Sequence, residues 1–264
     1  MNTSEATSVA REAGNSAVVE WGARIGYVAL GIIHLLIAWI ALKVAWGIGG
    51  GESNSADTSG ALKTMAGSGT GIVLLWVCVV GFLLLAVWQL LDAVIGYGET
   101  KDRLKAGAKC VTYLFFAWTT LQVTRGAGSS AEEQTEDFTA GLMGSPGGRI
   151  LVGLVGLIVL GIAGYHVYKG WTKKFLRDLR EHPGDWAVTA GRIGYIAKGV
   201  ALVIVGFFFL VAAWQADPDK AQGLDGALKT LKDQPFGPFL LTLVAAGIAA
   251  YGVYSFARSR YARV

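Results

Sequence analysis

The sequence predicts an all-α membrane protein: six transmembrane helices, organised as three parallel two-helix repeats about a pseudo-threefold axis, with short amphipathic helices in the outer loops. Three observations predict it. The composition is 53% hydrophobic and only 16% charged, with 37 Gly and nine Trp, which is not the balance of a soluble domain. Six apolar stretches are each long enough to cross a bilayer, and a short motif recurs along the chain.

Residues 1–20 are polar and mixed in charge, without the basic start, apolar stretch and small-residue cleavage site of a signal peptide, so they read as a retained, disordered cytoplasmic tail. The six spans follow at 24–47, 71–95, 104–124, 150–168, 192–214 and 236–256. About 20 apolar residues at 1.5 Å each cover a hydrocarbon core about 30 Å thick. None of the six shows the strict polar alternation of a membrane barrel strand. Gly153, Gly156, Gly161 and Gly164 in the fourth span suit close helix packing in lipid, and most of the tryptophans at span ends suit interfacial anchoring. Cys78 and Cys110 lie in apolar runs and read as buried free thiols.

Orientation follows from the basic residues of the short loops. One side carries Arg11 and Arg24, then Lys101, Arg103, Lys105 and Lys109, then seven between Lys169 and Lys198, then Arg258, Arg260 and Arg263. The other side carries only seven, together with the acidic cluster Glu132, Glu133, Glu136 and Asp137. Both termini are therefore expected to be cytoplasmic. The outer loops contain segments 59–65, 138–143 and 224–231, which mix apolar with charged residues and are expected to form short helices capping the outer end of the bundle.

Internal similarity is strong. Arg24-Ile25-Gly26-Tyr27 recurs 168 positions later as Arg192-Ile193-Gly194-Tyr195, and Gly60-Ala61-Leu62-Lys63-Thr64 recurs as Gly226-Ala227-Leu228-Lys229-Thr230. The middle copy is more diverged: Arg103 corresponds to Arg24, Trp118 to Trp39, and Tyr165-His166-Val167-Tyr168 to Tyr251-Gly252-Val253-Tyr254. Each copy holds two spans, so successive copies keep one orientation and the repeats are parallel. The boundaries read as 21–98, 99–182 and 183–264.

These motifs resemble the bacterial membrane family called domain of unknown function 1206, over about residues 18–260. The resemblance implies a three-unit, six-helix membrane protein of the actinobacterial type, and it assigns no catalytic residues.

Candidate sites are few. Arg24, Arg103 and Arg192 occupy equivalent helix starts and could contact anionic lipid or an acidic partner, against the plainer role of snorkelling and topology control. Asp92 is placed to form a structural ion pair with Arg24. His34 lies ten residues into the first span, at about mid-depth, with Tyr113 and Leu202 as its equivalents. His34 and Tyr113 are thus a candidate intramembrane polar site, weighed against simple packing. No spacing of His or Cys suggests a metal or haem, no cofactor is expected, and the modest charge of +4 does not suggest nucleic acid. No phosphate loop or catalytic set is recognisable, so an enzyme is not expected. The remaining readings are a non-enzymatic accessory protein, binding lipid or another membrane complex, and the alternative of a small transporter or channel with a path along the axis.

Overall fold

The computed structural model describes residues 17–48, 56, 58–67, 69–95, 100–126 and 131–263. The expected tail therefore lies outside the described residues, apart from its last four. The described residues are almost all helical, and their one β-feature is an isolated antiparallel bridge between Leu179 and Ala262.

The long helices are α1 (Ala17–Trp46), α3 (Gly69–Ile95), α4 (Thr100–Thr124), α6 (Gly148–Trp171), α7 (Asp185–Gln215) and α9 (Gly237–Tyr261). Short helices α2 (Thr58–Ala66), α5 (Ala131–Met143) and α8 (Leu224–Lys232) fall where the mixed loop segments were expected to fold. Helix α5 extends a further two turns towards its N-terminus, to Ala131.

Among the described residues, five helices are long and apolar enough to cross a membrane: α1, α3, α6, α7 and α9. Large apolar side chains remain exposed along their outward faces, among them Val73, Val80 and Val87 on α3 and Leu154, Leu157 and Ile158 on α6. Exposed apolar surface of this extent needs lipid rather than water against it, which marks a membrane protein. Helix α4 has the length to join them, but its first turns carry Lys101, Asp102, Arg103, Lys105 and Lys109.

The long helices form an arc in the spatial order α4, α3, α1, α9, α7, α6, each packed against the next. The most extensive contacts join the second helix of one repeat to the first helix of another: α3 to α4, α6 to α7 and α9 to α1. Within a repeat, α1 packs on α3 and α7 on α9, whereas α4 and α6 make at most marginal contact. Each repeat is expected to fold as a rigid helix pair, and the middle repeat does not.

The sequence explains the exception. In the first repeat α1 and α3 cross where Gly26 meets Gly81; in the third, Gly194 of α7 lies against the backbone of Tyr251 on α9, and Gly247 against Ala197. Such close approach in lipid depends on small residues at the crossing. The middle repeat has Lys105 where the others have Gly26 and Gly194, and the matching Gly161 of α6 has no non-local atom within 4 Å of where a Cβ would sit. Lys105 supplies no such small residue, and α4 and α6 make no close approach. Consequently Tyr165, the counterpart of the buried Tyr251, is 48% exposed.

Between these ends the interior is packed by apolar side chains, including Ile33, Ile37 and Ala41 of α1, Phe82 and Leu85 of α3, and Leu241 and Ile248 of α9. Helices α2 and α8 sit over α1, and α5 touches both α6 and α8, so the three short helices cover the end of the bundle opposite the C-terminus.

Candidate anion-binding site

The C-terminal half of α9 places Tyr251, Tyr254, Ser255 and Arg258 on one buried face, at spacings of three, four and seven residues. Arg258 is 8% exposed. One of its Nη2 hydrogens is donated to the Tyr27 hydroxyl on α1 at 3.0 Å, and its guanidinium carbon stands 4.3 Å from the centre of the same ring. Among the described residues, the Arg258 Nε is buried without a hydrogen-bond partner. A charged donor left unpaired in the interior is costly.

The other walls are brought in by a 3-10 turn after α6, Lys174–Asp178, and by the chain end. Phe175 anchors the turn: it is fully buried, with its ring 5.0 Å from that of Tyr254 and 5.3 Å from that of Tyr195. This fixes Asp178, whose carboxylate pairs with Lys169 at 2.6 Å. Burial alone would raise the Asp178 pKa, but Lys169 and Arg258 outweigh it and hold that pKa below the ordinary carboxylate value. The residues after α9 then fold back on the turn. Arg180 N–H donates to Tyr261 O at 2.7 Å, Arg263 N–H donates to Asp178 O at 3.0 Å, and the Arg263 Nε donates to Leu179 O at 2.8 Å.

These elements enclose a cavity of about 270 Å³. Tyr27 of α1, Trp88 and Asp92 of α3 and Lys109 of α4 complete its wall with Arg177, Asp178, Arg258 and Arg263. Four cations therefore face two carboxylates, and one of those carboxylates is already paired with Lys169. The cavity has a surplus of positive charge, forked donors from arginine and a tyrosine hydroxyl, the chemistry that receives a phosphate or carboxylate.

The residues singled out from sequence are distributed differently. Arg103 donates to the carbonyls of Ala93 and Val94, tying α4 to the end of α3, and Arg192 lies over the Trp171 ring at the end of α6. Each thus serves its own seam between repeats. Arg24 is half-buried on α1, three residues before Tyr27, while Asp92 lines the cavity beside Lys109. His34 Nδ1 donates to Leu30 O at 2.7 Å within its own helix, and the imidazole packs on Tyr251 with ring centres 4.7 Å apart. Tyr113 is buried on α4, one turn beyond Lys109 on the same face.

Sequence reasoning counted Lys109, Arg258 and Arg263 only as topology markers and passed over Tyr27 and Asp178 as site residues. The available signal was the spacing of Tyr251, Tyr254 and Arg258, which puts an arginine on the inward face of an apolar helix.

The sequence profile of the family described as Domain of Unknown Function (DUF1206) matches three times in tandem, over residues 25–96, 104–173 and 193–262. The chain belongs to the DUF1206 family. Three tandem matches support the three-repeat organisation. This DUF1206 protein is also similar to the uncharacterized protein YxxB of Bacillus subtilis (strain 168), with 30% identity over 251 residues, covering 90% of this chain and 89% of the relative. No solved structure matches it.

Proposed function

We propose that this DUF1206 protein is a non-enzymatic accessory protein of the bacterial inner membrane that holds an anionic lipid headgroup in the cavity around Arg258. The carrying observation is the buried guanidinium with a free Nε, set in a cavity where four cations face two carboxylates. A phosphodiester supplies the missing charge and accepts from forked donors. In this reading α4 is a sixth span whose charged first turns lie in the headgroup layer, both termini are cytoplasmic, and the arc is a pseudo-threefold ring interrupted at the middle repeat. The three equivalent seams support that arrangement. The bound lipid or the exposed helix faces would then be what the protein offers to another membrane complex.

A transport path needs polar groups through the full depth of the membrane. The buried stretch of Ile33, Ile37, Leu241 and Ile248 is apolar, which favours holding over passage. The deciding experiment compares lipid retention by the purified full chain, read by native mass spectrometry, after exchange into mixtures of phosphatidylglycerol and phosphatidylcholine. Preferential retention of phosphatidylglycerol, lost in Arg258→Gln and Lys109→Gln, supports the proposal. Equal retention of both lipids overturns it. Displacement of the lipid by inorganic phosphate at millimolar concentration would assign the site to a soluble phosphate.

A further inference from the structure

A second cavity lies at the other end of the bundle, on the side where α4 and α6 stand apart. It measures about 390 Å³. Phe115, Phe116 and Thr119 of α4 and Phe209 of α7 form its walls, with Phe138 of α5 and Leu224 of α8 beside them. Its volume is in the range of ligand pockets, about 300–1,000 Å³, and suits part of a lipid rather than a whole one.

Thr119 is the informative residue. Thr112, Thr120 and Thr124 of the same helix each donate their hydroxyl to the carbonyl one turn back, at 2.9, 2.6 and 2.7 Å. The Thr119 hydroxyl does not: among the described residues it is buried without a partner, in a residue only 6% exposed that lines the cavity. A buried hydroxyl without a partner costs free energy, and Thr119 carries one in the wall of this cavity. The surroundings indicate where an acceptor would come from. Val111, Leu114 and Trp118 are exposed apolar residues on the same helix, which face lipid on the proposed reading of α4 as a span, while α5 and α8 contribute Phe138 and Leu224 to the cavity at that end of the bundle.

We propose that this cavity holds the ester-bearing end of a lipid acyl chain, with the Thr119 hydroxyl donating to the ester carbonyl and the phenyl rings of Phe115, Phe116, Phe138 and Phe209 enclosing the adjoining methylene groups. The site is separate from the basic cavity and does not require an anionic lipid.

The test is photo-crosslinking of the full chain in nanodiscs of phosphatidylcholine carrying a diazirine near the ester end of one acyl chain. The zwitterionic headgroup keeps the assay independent of the basic cavity, and Arg258→Gln should label normally. Peptide mapping should find cross-links on residues 115–119 and on Phe138 several-fold denser than on the outward-facing Leu157 of α6. Thr119→Trp, which fills the space, should reduce the former to the level of the latter. Thr119→Val, nearly equal in volume, should lower them roughly two- to tenfold, the weight of one hydrogen bond. Cross-links no denser than at Leu157 overturn the site, as does labelling that persists in a folded Thr119→Trp protein. Should Thr119→Trp not fold, Thr119→Val decides alone, and unchanged labelling in it overturns the ester contact.

Discussion

Gly26 of α1 and Gly81 of α3 approach so closely that a Cβ added to Gly81 would stand 3.1 Å from the Gly26 Cα. The seam of the first repeat is therefore a contact of backbone with backbone. Substituting Gly26 by Val should cost about 1–3 kcal/mol through overpacking. Gly161→Ala in the middle repeat should be neutral or slightly stabilising, because nothing non-local approaches that position and alanine favours a helix. Thermal unfolding of both variants in one detergent checks the contrast, and equal effects would contradict the account of the separated pair.

Tyr27→Phe removes the hydroxyl that receives the Arg258 hydrogen bond and leaves the aromatic face beneath the guanidinium. A bond to a charged donor contributes about 1.5–3 kcal/mol, so the variant should unfold several degrees earlier. Phosphatidylglycerol retention should fall as well, because a second Arg258 nitrogen is then left without a fixed position.

Stability should depend on acid through Asp178. Its pKa is depressed in the folded protein, so its contribution is complete above the unfolded value, about 3.9, and is lost as pH falls through the folded value. Melting temperature should hold from neutrality to about pH 5 and drop below about pH 4. In Asp178→Asn the neutral-pH value should be lower and the drop smaller, and a drop unchanged by that substitution would place its cause elsewhere.

The proposed topology puts α5 outside the cell and the 3-10 turn inside. Cysteine introduced at Asp137, which is exposed on α5, should react with an impermeant maleimide in intact cells, and cysteine at Thr172, exposed after α6, should react only after lysis. The reverse pattern would invert the orientation.

His34→Leu should leave the protein folded with little loss of lipid retention, since the imidazole spends its Nδ1–H on its own helix. Solute movement into liposomes that is abolished by this substitution would replace the holding role with a transport role.

Much of the fold was legible because two strong signals carry it: hydropathy marks the long helices, and the Arg-Ile-Gly-Tyr recurrence marks the repeats. The missing contact between α4 and α6 was harder to read. Its cause, Lys105 in place of a glycine, is visible in the sequence, but its meaning depends on knowing that the crossing falls at that position. The site was less legible still. Arg258 and Tyr27 are 231 positions apart, and the same lysines and arginines also satisfy the charge rule for topology, so sequence offered no way to separate the few that turn inward. Thr119 gave no signal at all, because its distinction from Thr120 is the direction of one hydroxyl.

The pairing of α1 with α9 has a consequence for biogenesis. Helix α1 meets one of its most extensive neighbours, α9, only after the long helices between them have been made. Until then the face of α1 that carries Gly31, destined to lie against Phe256 and the Gly252 carbonyl, is bare in the bilayer. A chain interrupted before α9 would thus lack Arg258 as well as the helix that covers this face of α1.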